Sequence, residues 1–241
     1  MLIPAGTQEI LEPSVFVLNH TMPIAFSIYG IFAYSIIASL FLMVKDRMSG
    51  KRELQGIKYG LSCCAIWIVY LLEPLPHVAL MDKITYPLAD SIALLIMGLL
   101  CGILLGDSRP QSKAKFPLSV PVVSAITIAF VAGRIFQYTL GNSYSLWKER
   151  TMETLVWCVL TGIVVSVVMQ WLNGFIFTEN RARRAIIVGG LLFGIDLFLF
   201  NFFMPLVFKA NVPDLFMRTV VDIVAVIIGS LFLQVPQSKE G

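Results

Sequence analysis

The sequence predicts an all-α, polytopic membrane protein, a bundle of about seven transmembrane helices with little folded structure outside the bilayer. Of its 241 residues, 57% are hydrophobic and only 14% are charged, whereas soluble domains carry roughly 25% charged residues. The mean hydropathy is +0.82. A soluble fold of this length cannot hide so much apolar surface, so an ordinary soluble domain is excluded.

Seven apolar stretches each approach the ~20 residues that a helix needs to cross a bilayer. Backbone amides in hydrocarbon must be satisfied within their own segment, so continuous apolar runs of this length are helices; barrel strands would be shorter and alternating. The predicted helices cover residues 23 to 44, 57 to 73, 87 to 106, 117 to 140, 154 to 177, 185 to 208 and 214 to 235.

The chain divides into an extracytoplasmic segment (1 to 22), the seven-helix transmembrane domain (23 to 235) and a short cytosolic tail (236 to 241). The first segment has no basic n-region or small-residue cleavage site, so it does not read as a cleaved signal peptide. Every loop is short, and no convincing internal repeat is present.

Prolines mark several predicted helix ends. Pro74 ends the second helix, Pro87 opens the third, and Pro205 stops or kinks the sixth. Pro213 lies in the first turn of the seventh helix, with Asn211 as its cap.

Glycines predict where helices approach each other closely in lipid. Gly98, Gly102 and Gly106 repeat every four residues in the third helix, and Gly190 and Gly194 do so in the sixth.

The Lys and Arg residues in the loops predict the orientation. Twelve of the 18 lie after the first, third and fifth helices or in the tail, four lie on the opposite side, and Arg134 and Arg218 lie inside helices. The N-terminus is therefore predicted outside or lumenal and the C-terminus cytosolic. Basic residues in short loops against a membrane do not indicate nucleic-acid binding.

Ionisable residues inside predicted spans are expensive and mark candidate functional sites. With the predicted orientation, nearly all of them fall between the midplane and the outer boundary, whereas the inner half offers Gln170 and Asn173. The ionisable residues inside the predicted spans are Glu73, Asp90, Arg134, Asp196, Arg218 and Asp222.

Structural explanations for these residues stay open. Arg218 and Asp222 are four residues apart on one helix face, where they can pair with each other and with another helix. Glu73 at the membrane boundary can simply be hydrated.

Aromatic side chains are frequent in the same half of the bundle. Most of them are explained by core packing or the interfacial belt. A sharper hypothesis is a pocket of aromatic rings around buried acids, which suits an apolar substrate that becomes cationic.

Two short stretches resemble the small integral-membrane terpene cyclases of fungal meroterpenoid and indole-diterpene pathways. Residues 63 to 70, Cys-Cys-Ala-Ile-Trp-Ile-Val-Tyr, are similar to the Trp-Glu-x-x-Tyr region of that family's second helix. Val220-Val221-Asp222 is similar to the last helix, where the family has an Asp. Length and helix number also match. Ile68 follows Trp67 where the family has Glu, so Glu73 would supply that acid.

The resemblance implies a cofactor-free, acid-initiated terpene cyclase acting on a hydrophobic prenylated substrate in the bilayer. A carboxylic acid in apolar surroundings would stay protonated and donate its proton to a prenyl epoxide or alkene. Asp222 and Glu73 would be the catalytic acids, and aromatic rings would guide the carbocation. The residues expected to bind substrate are Trp67, Tyr70, Asp90, Arg134, Tyr138, Asp196, Asn201 and Arg218.

Two other function classes stay open. The Asp and Arg residues could form the pathway of a small transporter, channel or membrane sensor, although a conduit needs polar groups in both halves of the membrane. A non-catalytic assembly partner would use the glycine faces as its contact surface. The sequence contains no metal-binding cluster, and the membrane would be endoplasmic reticulum in a fungus or plasma membrane in a bacterium.

Overall fold

The computed structural model describes residues 11 to 107, 118 to 141 and 143 to 235, and these form helices with no β-strand among them. Arg109, Lys113 and Lys115 of the predicted inner loop, and the tail from 236, lie outside the described residues. The helices are α1 (Val15–Leu18), α2 (Met22–Leu40), α3 (Arg52–Leu71), α4 (Asp82–Leu105), α5 (Val120–Thr139), α6 (Thr151–Asn173), α7 (Arg181–Ala185), α8 (Asp196–Asn201), α9 (Met204–Val207) and α10 (Val212–Ser230).

Six helical segments are long and apolar enough to cross a membrane, which makes the chain a multi-pass membrane protein. Two of them combine shorter elements: α2 continues through two 3-10 turns to Arg47, and one segment runs from Arg181 to Val207. The seventh predicted span is the 19-residue helix α10, which contains Asp214, Arg218 and Asp222. These charges separate it from the six apolar segments.

Local chemistry explains where the helices begin and end. The Asn211 side chain caps α10 by accepting a hydrogen bond from the Asp214 backbone at 3.2 Å, as predicted. Helix α3 ends at Leu71, before Pro74. The prediction that Pro87 opens the third helix is wrong: α4 begins at Asp82 and contains Pro87, near enough to the start that few backbone bonds are lost.

Helix α3 packs most extensively against α4. Gly56 and Gly60 of α3 face Gly98 and Gly102 of α4, and a Cβ on Gly98 would lie 2.9 Å from the Cα of Gly60. Only glycine permits this approach, which is the small-residue packing expected in lipid.

The glycines of the sixth predicted helix face α10. A Cβ on Gly190 would lie 3.4 Å from Ile227, and one on Gly194 would lie 3.0 Å from Ile223. Together with the α3–α4 contact, this means that both glycine faces pack inside the chain. They are therefore not the free assembly surface that one alternative required.

The segment from Arg181 to Val207 is irregular. Its middle, Ile186–Ile195, is a π-helix that leads directly into α8 at Asp196. The helix is interrupted after Asn201, and Pro205 lies in the first turn of α9, in agreement with the predicted stop or kink. Extended π-helical turns are rare and often lie at functional sites.

Polar side chains tie the predicted inner end of the bundle together. Gln170 accepts a hydrogen bond from the Ser119 backbone at 2.9 Å, and Asn173 donates to the Gln234 carbonyl at 3.0 Å. Buried Arg184 donates to the Leu233 carbonyl at 3.2 Å. Gln170 and Asn173 thus join α6 to the residues that flank α5 and α10.

At the opposite end, the N-terminal segment pairs with the loop after α9. Pro13 and Phe208 form an isolated antiparallel bridge, and the Ser14 hydroxyl donates to the Leu206 carbonyl at 2.6 Å. Glu12 and Lys209 add an exposed ion pair of 2.6 Å. The segment is therefore docked onto the bundle.

Candidate functional site

A buried ionic network joins the end of α3 to α5 and α10. Glu73 follows α3, and its Oε1 accepts three hydrogen bonds: from Arg134 Nη1 at 3.0 Å, from Arg218 Nη2 at 2.6 Å and from the Tyr138 hydroxyl at 3.0 Å. Arg134 and Tyr138 are four residues apart and share a face of α5. The side chain of Glu73 is only 5% exposed, so it is not the hydrated boundary residue that the sequence allowed.

Asp222 of α10 is the second acid of the network. Its Oδ2 accepts hydrogen bonds from Arg134 Nη2 at 2.6 Å and from the Tyr70 hydroxyl at 3.1 Å, and its Oδ1 accepts one from Gln137 Nε2 at 2.9 Å. Three donors therefore satisfy both oxygens of the Asp222 carboxyl group.

The pairing within the network differs from the simplest expectation. Arg218 and Asp222 share a helix face, yet Arg218 forms its ion pair with Glu73, and Asp222 forms its ion pair with Arg134. Two carboxylates and two guanidinium groups give no net charge. Buried charges are tolerated when they are paired and hydrogen-bonded in this way.

Aromatic rings surround Arg134. Its guanidinium carbon lies 4.8 Å from the ring centre of Trp157, 5.4 Å from that of Tyr70 and 5.5 Å from that of Phe130. Through these cation–π contacts, the rings beside Glu73 and Asp222 are already occupied by the Arg134 guanidinium.

Asp196 lies apart from this network, at the junction of the π-helix and α8. It is 1% exposed, and its Oδ1 accepts a hydrogen bond from Trp67 Nε1 at 3.1 Å. Its Oδ2 is buried and has no hydrogen-bond partner among the described residues, and no ion pair reaches it there. An enclosed carboxyl group without a cation favours its neutral, protonated form.

A second group of aromatic rings encloses Asp196. The ring centre of Trp67 lies 5.0 Å from that of Phe200, 6.0 Å from that of Tyr34 and 6.1 Å from that of Phe203. No guanidinium stacks on these rings within the described parts of the chain. The faces and edges of these rings therefore lie beside Asp196, which has no ion-pair partner among the described residues.

An apolar groove lies next to this aromatic group. It is open at the protein surface and has a volume of about 550 Å³. Tyr29 connects the two, since its ring centre lies 4.7 Å from that of Phe203. The groove is lined by Phe16, Thr21, Ile24, Ala25, Ile28, Tyr29, Phe32 and Leu206.

The remaining predicted site residues lie outside the ionic network. Asn201 donates to the Thr219 hydroxyl at 2.8 Å and so joins α8 to α10. Asp90 is partly buried on α4 and forms no hydrogen bond or ion pair within the described ranges.

The structure thus places eight of the ten predicted site residues in two groups. Tyr70, Glu73, Arg134, Tyr138, Arg218 and Asp222 form the ionic network, Trp67 and Asp196 form the aromatic site, and Asp90 and Asn201 join neither set of hydrogen bonds. Gln137 is absent from the predicted site although it contacts Asp222; its position three residues after Arg134 is the signal that identifies it. Tyr34 and Phe200 carry no such signal, because ring contacts across helices depend on packing.

Within the described residues, no three His, Cys, Asp or Glu side chains are arranged to hold a metal ion. The four cysteines are buried and free. The chain matches no protein-family model, no curated protein and no solved structure.

Proposed function

We propose that the chain is a membrane-embedded terpene cyclase that uses Asp196 as its proton donor. The carrying observation is the environment of that carboxyl group: it is buried, one oxygen is unpartnered among the described residues, and aromatic rings surround it. A neutral acid and ring faces are the two features that an acid-initiated cyclisation needs.

The chemistry is an isomerisation. Asp196 donates a proton to a prenyl epoxide oxygen or terminal alkene, the epoxide C–O bond or the C=C π bond breaks, and the resulting carbocation is attacked by the next alkene to form a C–C bond. The final cation loses a proton to a base, which returns one proton for the one supplied. The mass of the substrate is unchanged, and no cofactor is consumed. Exclusion of water by the surrounding rings protects the cation from capture.

The geometry favours Asp196 over Asp222 and Glu73 as the donor. Each of the latter accepts a hydrogen bond from an arginine at 2.6 Å, and that arginine occupies the oxygen that a substrate would have to reach. The ionic network then acts as a support that fixes α3, α5 and α10 around the site.

The apolar groove supports a lipid-soluble substrate. It opens on a surface rich in exposed apolar residues, among them Ile24, Ile28 and Phe32, so the molecules that meet it in a bilayer are themselves apolar. Through Tyr29 and Phe203 the groove adjoins the rings around Asp196.

A continuous conduit is less well supported. In the predicted inner half, Gln170 and Asn173 bond to backbone groups, and those bonds would have to break before either side chain could solvate an ion. The buried ion pairs lie in the other half of the bundle, which suits a one-sided pocket.

We also infer that α10 completes a seventh span, with the N-terminus outside and the C-terminus in the cytosol. Two charged residues within α10, Arg218 and Asp222, are neutralised by Glu73 and Arg134. Labelling of Ser49→Cys and Ser145→Cys variants with a membrane-impermeant thiol reagent tests the orientation, because only the second position should react from outside.

The function is tested by incubating membranes that contain the chain with prenylated epoxides and prenylated aromatic compounds. We expect cyclised products of unchanged mass, their loss in Asp196→Asn, and full activity in Asp46→Asn, whose side chain is 73% exposed. Activity that survives Asp196→Asn but is lost in well-folded Asp222→Asn would return the donor role to Asp222. No turnover by the folded parent across these substrates would overturn the cyclase proposal.

A further inference from the structure

Asp90 faces the interior of the bundle although no cation of the described chain bonds to it. It follows buried Pro87 by three residues and precedes buried Leu94 by four, so it belongs to the inward stripe of α4. It is partly buried. A carboxylate on this face of a membrane helix is costly unless a positive charge accompanies it.

Asp90 and Asp196 belong to the same environment. Cys64, three residues before Trp67 on α3, donates a hydrogen bond from its thiol to the carbonyl of Ser91, the residue after Asp90, at 3.5 Å. Tyr34 and Cys64 lie within electrostatic reach of both acids. Tyr34 also contacts the ring of Trp67, which donates to Asp196. Carboxyl groups from α4 and α8 therefore lie near the same pair of aromatic rings.

The two acids differ in ways that suit different roles. Asp196 is 1% exposed and keeps one buried oxygen free of hydrogen bonds among the described residues, which favours its protonated form. Asp90 is only partly buried, so its charged form costs less free energy than that of Asp196. Their combined charge is thus one negative charge beside ring faces, without a positive partner in the described chain.

We propose that Asp90, Tyr34, Trp67 and Asp196 form a binding site for an amphiphilic organic cation, an ammonium group attached to an apolar chain. Asp90 is its counter-ion, the two rings contact the ammonium group through cation–π interactions, and the apolar chain extends toward the neighbouring groove. The inference shares Asp196 with the proposed function, and in that reaction Asp90 would stabilise the positive charge of the carbocation.

An organic cation fits these residues better than a metal ion does. The described residues offer no set of three metal-binding side chains, and aromatic rings do not replace the oxygen ligands that Ca²⁺ and Mg²⁺ require. Ring faces attract weakly hydrated ammonium groups, which shed their water at little cost.

The test measures binding of a dimethyl-decylammonium probe and of its uncharged carbon isostere to the purified full chain in nanodiscs. Quenching of tryptophan fluorescence reports binding, and Trp67→Phe identifies the signal of the site. We expect the parent to bind the ammonium probe about tenfold more tightly than the isostere. Asp90→Asn should lose that preference, and Asp46→Asn should keep it.

Equal affinity of the parent for the two probes would overturn the inference, and this comparison requires no variant to fold. A preference that persists in folded Asp90→Asn would overturn the role of Asp90. The two proposals fail separately: cyclisation without a charge preference removes the cation site alone, and a charge preference without turnover removes the cyclase function alone.

Discussion

Replacement of Arg134 by methionine should destabilise the bundle more than replacement of Arg218, the other arginine of the ionic network. Among the described residues, Arg134 is the one cation that forms an ion pair with Asp222, at 2.6 Å. Glu73 keeps Arg218, also at 2.6 Å, when Arg134 is removed. The variant therefore leaves one uncompensated charge at a position that is 1% exposed. Breaking a buried pair in this way costs about 3–5 kcal/mol of unfolding free energy.

Two further variants separate charge from packing. Arg134→Met combined with Asp222→Asn removes the orphaned charge, so the double variant should be more stable than Arg134→Met alone. Arg218→Met should cost less than Arg134→Met, because Glu73 retains Arg134 at 3.0 Å. Arg150→Met serves as the control: its pair with Glu153 is about half exposed, and such pairs contribute about 0–1 kcal/mol.

Reversible unfolding in mixed micelles, followed by tryptophan fluorescence, measures these differences. If Arg134→Met lies within about 1 kcal/mol of the parent, the bilayer or internal water screens the site and the 3–5 kcal/mol argument fails. If the double variant is less stable than Arg134→Met, the unpaired Asp222 carboxylate is not the cause of the destabilisation by Arg134→Met.

Three other expectations concern the fold. Gly98→Ala should destabilise the chain by about 1–3 kcal/mol, because its Cβ would lie 2.5 Å from the Gly56 carbonyl oxygen of the adjacent helix. Gly30→Ala, with nothing within 4 Å of its Cβ, should not; thermal unfolding compares the two variants. Arg184→Met should lower the free energy of unfolding by about 2 kcal/mol in the same assay, because the buried guanidinium that bonds the Leu233 carbonyl just after α10 is lost. A hydrogen bond from Lys209 and the charge of Lys209 lower the pKa of Glu12. The ion pair therefore strengthens docking of the N-terminal segment at pH values above 4.5, the ordinary pKa of Glu12, and this contribution is lost as the pH falls through the lowered pKa. Hydrogen exchange of the segment detects the pH dependence, and Glu12→Gln should abolish it.

The sequence predicts the helices well because hydropathy is a local property. Six of the seven apolar stretches became spanning helices, and the caps and breaks at Asn211 and Pro205 follow from their own backbone chemistry. Pro87 was misread because its effect depends on position: near the start of a helix, proline removes few backbone bonds, so it does not mark the first residue.

The pairing of charges was less predictable. Spacing alone places Arg218 beside Asp222 on α10, but the structure gives each of them a partner on another helix. The partner of each charged residue depends on the relative orientation of α3, α5 and α10. The periodicity of a single helix does not predict that orientation. The contact of Arg134 with the ring of Trp157 has the same origin.

The distribution of charge explains why the proposed chemistry lies beside α4 and α8. Arg134 and Arg218 form their ion pairs with Glu73 and Asp222, and neither is paired with Asp90 or Asp196. An acid inside a membrane protein that lacks a cation must hold a proton or bind a positive ligand. Asp196 is almost completely buried, which suits an acid that keeps its proton. Asp90 is only partly buried, so a ligand can reach its carboxyl group. If both acids served packing alone, the neutral Asn would replace either one without loss of binding or turnover, and the Asp90→Asn and Asp196→Asn variants measure this directly.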